Sequence, residues 1–128
     1  MNNSDIKGLD ILTPRQTGFQ TLVNYGSWRV AAARFHPGEK PGRPDSLSRH
    51  LETDEVFVLL NGSCTLYIGG TGECPATVSM VEMEPGSVYN IRKGTWHART
   101  LTPETLVLIV ENRMTGDFNS ETAAFPAD

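Results

Sequence analysis

The chain has 128 residues, which is enough for one domain with a usable core and too few for two. At 38% hydrophobic and 20% charged it has the composition of an ordinary globular protein, and a formal net charge of −4 leaves no basic surface for a phosphate backbone. No apolar run approaches the roughly 20 residues of a membrane span, the polar start MNNSDIKGLDILTPRQ does not read as a secretion signal, and two cysteines, Cys64 and Cys74, are too few for a disulfide scaffold.

These totals set expectations of a cytoplasmic location, reduced thiols, and neither nucleic acid nor membrane as partner. Twelve Gly and eight Pro predict frequent turns, hence many short strands. Residues 1–18 are polar and turn-rich and read as a loosely held arm. The stretches QTLVNY (20–25) and SWRVAAARF (27–35) read as strands around Gly26. A Pro-rich loop at 37–46 follows, then a short strand SLSRH (46–50) and the apolar run EVFVLL (55–60). Asn61-Gly62 suits a type I′ turn, with positive φ at both central residues, and predicts a hairpin of 55–60 with 63–68. TVSMVEM (77–83) alternates as a half-buried strand should, SVYNI (87–91) is extended, and TWHARTL (95–101) and ETLVLIVENR (104–113) complete the set. The domain is expected to span 19–113. The pattern of the tail, 114–128, assigns no structure.

Eight or nine strands with regular turns and no convincing helix predict an all-β fold, an antiparallel β-sandwich or small barrel. VFVLL and LVLIV are apolar on both faces, so their outer faces need cover from terminal segments or a second subunit; a homodimer is the expectation.

Alternate residues of a strand share a face. Ser48 with His50, Glu55 with Phe57 and Leu59, and His97 with Arg99 therefore form three sets. If these faces point inward, His50, Glu55 and His97 converge while Phe57 and Leu59 line the cavity. Two imidazoles and a carboxylate suit an open site for Fe(II), Mn, Ni or Zn. Glu52 shares the parity of His50 if that strand continues, and is a candidate fourth oxygen or general base, or else a solvated turn residue. Arg99, if inward, is a cation for a carboxylate substrate or for Glu55. Tyr89 is either a cavity-wall residue or a structural tyrosine.

Two blocks carry a family resemblance. Gly42, RPDSL, Ser48-Arg49-His50, LETD, Glu55, VFVLLN and Gly62 match the spacing of one motif; Gly86, SVYNI, Arg92-Lys93-Gly94, Thr95-Trp96 and His97 match that of a second. On these the chain resembles the cupins, small jelly-roll barrels that include sugar isomerases and dioxygenases. The resemblance implies a divalent metal on His50, Glu55 and His97. Ser48 stands where a further histidine ligand belongs, Arg92 replaces a proline and Leu101 an asparagine. Ser48 then becomes a substrate contact, and His36 a candidate replacement ligand. The implied functions are a metal-dependent enzyme of the sugar isomerase, epimerase or oxygenase type, or a metal-free cupin that binds a small ligand without catalysis.

Overall fold

Alternating apolar residues between glycine turns produce ten strands in the computed structural model, which describes residues 6–40 and 42–127. These are β1 (Gly18–Tyr25), β2 (Trp28–Arg34), β3 (Ser46–His50), β4 (Glu55–Asn61), β5 (Cys64–Ile68), β6 (Ser79–Glu82), β7 (Tyr89–Ile91), β8 (His97–Leu101), β9 (Leu106–Asn112) and β10 (Ser120–Ala124). A single 3-10 turn, Asp117–Asn119, precedes β10, and among the described residues there is no α-helix. No helix in this range is long and apolar enough to cross a membrane.

The strands form two five-stranded antiparallel sheets, ordered β1-β2-β9-β4-β7 and β10-β3-β8-β5-β6. The sheets face each other as an open sandwich, as the alternation anticipates. Ala31, Ala33, Phe57, Leu59, Val107 and Ile109 from the first sheet meet Cys64 and Leu66 from the second in one core. Phe57, Val107 and Ile109 retain no exposed surface, and each such side chain stabilises the fold by about 1.5–3 kcal/mol of burial. A smaller cluster of Leu47, Tyr67 and Trp96 covers the second sheet on its other side, in keeping with the opposite parity of Trp96 and His97.

The Asn61-Gly62 expectation is corrected. β4 and β5 lie in different sheets, so the turn carries the chain across the sandwich and makes no hairpin. Gly62 has φ +82°, whereas Asn61 does not take positive φ, so the turn is not type I′. The cause lies in Thr105, which crowds the turn. A Cβ on Gly62 would lie 2.5 Å from its Cα, while its Oγ1 accepts from the Ser63 N–H at 3.0 Å and donates to the Ser63 carbonyl at 2.7 Å. The hairpin of β1 with β2 does form, closing Tyr25 on Trp28 around Gly26.

The tail is structured. β10 pairs with β3, Ser120 opposite His50 and Thr122 opposite Ser48. Together with the preceding turn it walls one end of the sandwich.

Candidate metal centre

Rows of side chains across the first sheet alternate sharply in polarity. One inward row runs Ala31, Ile109, Phe57, Tyr89; the next runs Arg29, Glu111, Glu55, Ile91. The change from apolar to charged marks where the core ends and a cavity of about 410 Å³ begins, within the range of small-ligand sites. Opposite, the second sheet contributes the row Thr122, Ser48, His97.

His50, Glu55 and His97 converge here. His50 Nε2 lies 3.2 Å from Glu55 Oε1 and His97 Nε2 lies 3.0 Å from the same oxygen. One donor atom from each residue falls within 4.8 Å of the others, a group that could hold a metal ion. Glu55 and His97 are buried and His50 is half-buried. The imidazoles meet edge to face, with centroids 5.2 Å apart.

The ring nitrogens away from Glu55 determine what those facing it can do. His97 Nδ1 is 2.9 Å from the Thr95 carbonyl, which can only accept, so Nδ1 carries the hydrogen. On a neutral ring Nε2 then presents a lone pair to a carboxylate oxygen. Two acceptors at 3.0 Å need a cation, either a proton that makes His97 an imidazolium or a metal ion. His50 has another way out. Its Nδ1 is 2.8 Å from Ser120 Oγ, and the serine can donate, leaving an Nε2–H for Glu55. Ring nitrogens fixed by a carbonyl and a hydroxyl are the usual support of metal-binding histidines. The donor set therefore fits a divalent transition ion.

The electrostatics follow from the same contacts. The hydrogen bond to Glu55 raises the His50 pKa against the opposing effect of burial. Burial pushes Glu55 up, but the two histidines overcome it and hold the carboxylate well below the usual range. Burial raises Glu111, and the Glu55 charge beside it adds to this while Arg29 opposes.

Glu111 and Arg29 were missed in the sequence. Arg29 clamps Glu111 Oε2 from Nε at 3.0 Å and from Nη2 at 2.6 Å. No protein donor reaches the buried Glu111 Oε1, and the Glu55 carboxyl beside it makes protonation of Glu111 easier. The signal that would have found it is the one that marked Glu55. Glu111 shares the parity of Val107 and Ile109, an acid at an inward position after an apolar run.

The remaining candidates divide. Ser48 and Arg99 line the cavity, and Ser48 Oγ lies 3.2 Å from Thr122 Oγ1. Phe57 is fully buried beneath the site, edge-on to His97 with centroids 6.3 Å apart. Phe57, with Leu59, is therefore core and not cavity lining, and three further candidates are also placed away from the lining. Glu52 is exposed and accepts from Asn119 Nδ2 at 3.3 Å. Tyr89 accepts the Glu84 N–H at 2.8 Å through its hydroxyl oxygen. His36 is exposed beyond β2, where its Nδ1 accepts from the Gly38 N–H at 3.0 Å. Thr115, Gly116, Asp117 and Ser120 of the tail also line the cavity, as does Ser46 at the start of β3.

No family model matches the sequence, and no curated protein matches it. The fold is similar to that of solved structures. A cupin-2 domain containing protein from Shewanella frigidimarina is 18% identical with a TM-score of 0.55, covering 77% of this chain and 84% of that one. WlaRA, a TDP-fucose-3,4-ketoisomerase from Campylobacter jejuni, is 16% identical with a TM-score of 0.54, covering 82% and 85%. The hydroquinone 1,2-dioxygenase PnpCD is 10% identical with a TM-score of 0.57, covering 78% and 66%. The chain has the cupin fold.

Proposed function

We propose that the protein binds one divalent transition-metal ion, Fe, Mn, Ni or Zn, through His50 Nε2, Glu55 Oε1 and His97 Nε2, and works on a small oxygenated molecule in the adjoining cavity. The observation that carries this is the convergence of His50 Nε2 and His97 Nε2 on Glu55 Oε1, at 3.2 and 3.0 Å, with His97 Nδ1 held by the Thr95 carbonyl. When bound, such an ion supplies Lewis acidity toward a substrate oxygen or, as Fe(II), a site for dioxygen. The chain's own residues orient the donors through Ser120 and the Thr95 carbonyl, close the floor of the site with Phe57, and leave Ser48 as a hydroxyl contact for the ligand. Reactions of the sugar isomerase or epimerase type, or of the Fe-dependent oxygenase type, suit this arrangement. Ser48 leaves three protein donors, enough for an open site.

The same reading includes a homodimer. Val56, Val58, Leu108 and Val110 form the outer face of β4 and β9 and are only partly buried within one chain. Light scattering at micromolar concentration tests this, and a monomer throughout would remove it.

The test of the metal reading is calorimetric titration of EDTA-stripped protein with each ion. One ion per chain, a raised melting temperature, and loss of both in His50→Ala and His97→Ala are expected. No heat and no stabilisation would leave the alternative, a metal-free cupin that binds a small ligand without catalysis.

A further inference from the structure

Arg99 stands two residues beyond His97 on β8, half-buried on the cavity wall. Its guanidinium carbon sits 5.4 Å over the Phe57 ring. Among the described residues no carboxylate, carbonyl or hydroxyl accepts from it. A half-buried guanidinium resting on an aromatic face, with five N–H donors uncommitted, is a binding group for a planar anion.

Two of the three lining acids are engaged elsewhere. Glu55 faces the two histidines, and Glu111 Oε2 is held by Arg29. Glu111 Oε1 remains: it is buried beside Glu55, no protein donor reaches it, and Glu111 lines the same cavity. The cavity thus has an unsatisfied donor group and an unsatisfied acceptor that do not form an ion pair with each other. A ligand that satisfies both needs an anionic group at one end and a hydroxyl at the other.

The charge balance agrees. Arg29 and Arg99 stand against Glu55, Glu111 and Asp117 among the lining residues. A divalent cation at the histidines turns that small negative balance into a single positive charge, which a monocarboxylate neutralises.

We propose that the ligand of this cavity is a small hydroxy carboxylate, its carboxylate paired with the Arg99 guanidinium and a hydroxyl hydrogen-bonded to Glu111 Oε1. This rests on the reading of the cavity as the working site, and it names the substrate class.

The test is calorimetry of metal-loaded protein with lactate, tartrate, gluconate and galacturonate, each against a neutral counterpart such as sorbitol for gluconate. Hexanoate serves as a carboxylate without hydroxyls. At least one hydroxy acid should bind tenfold or more tightly than both its neutral counterpart and hexanoate. Arg99→Met, which keeps the packing on Phe57, should lose the preference over the neutral compound while retaining one metal ion per chain. Glu111→Gln should weaken the hydroxy acid relative to hexanoate, with thermal melting confirming that both variants fold. Binding of no panel member, or equal binding of acid and neutral compound by a protein that holds its metal, overturns the proposal and leaves the metal reading standing. A wild-type protein that takes no metal yet prefers the hydroxy acid through Arg99 sinks the metal reading instead.

Discussion

Glu55 and Glu111 stand directly opposite each other on β4 and β9, two carboxylates buried side by side in one row. Like charges so placed need compensation. Arg29 supplies it on one side of Glu111, and the histidines, with a proton or an ion, supply it on the other side of Glu55.

Removing that compensation should be costly. Arg29→Ala leaves Glu111 without its guanidinium, and breaking a fully buried pair on one side costs about 3–5 kcal/mol, an upper bound for this part-buried one. Urea unfolding should show a midpoint lowered accordingly, with the m-value unchanged. A shift within 0.5 kcal/mol of wild type, roughly the effect of an ordinary surface change, would mean the pair is solvated.

Stability of the metal-free protein should fall as pH rises. The His50 pKa is raised above 6.5, so its contribution is complete below that value and lost as pH climbs through the raised one. Glu111, raised by burial, is also protonated more readily in the folded state, so its contribution is lost in the same direction. Glu55 is lowered, and its contribution is lost only on acidification through that lowered value. Urea midpoints in EDTA should therefore decline as pH rises above the ordinary histidine value of 6.5. Saturating Zn²⁺ should abolish the decline, because the ion replaces the proton.

Ser120 should matter to the metal although it is not a ligand. Its hydroxyl lies 2.8 Å from His50 Nδ1, and losing such support typically costs 10–100-fold in metal affinity. Competition titration of Ser120→Ala should show that loss. Glu121→Ala, at the next position and paired with Arg49, should leave affinity unchanged.

Two glycines with the same φ of +82° separate backbone strain from crowding. Gly70→Ala meets nothing within 4 Å and carries only the cost of the left-handed conformation, about 1–2 kcal/mol. Gly62→Ala adds a Cβ 2.5 Å from the Thr105 backbone, which no side-chain rotation can relieve. Denaturant titration should rank Gly62→Ala as clearly the worse of the two.

What the sequence made legible was the set of local periodicities. Parity grouped the side chains of each strand, and with the motif spacing it singled out His50, Glu55 and His97; the apolar runs of β4 and β9 marked the core strands without saying which face is inward. Pairing between distant segments was not legible. An Asn-Gly turn suits a hairpin by itself, and only the crowding of Thr105 against Gly62 shows that it switches sheets. β10 was hidden because SETAA has no apolar alternation, its pairing to β3 being fixed by the Arg49–Glu121 and Ser48–Thr122 contacts. Glu111 escaped because the apolar run before it drew attention to the core and not to its end.

The central claim is that His50, Glu55 and His97 hold one metal ion, and anomalous diffraction from crystals grown with Zn²⁺ tests it most directly. The expected result is a single anomalous peak about 2.0–2.2 Å from His50 Nε2, His97 Nε2 and a Glu55 carboxylate oxygen. A map with no peak there, with the three side chains still in mutual contact, would contradict it.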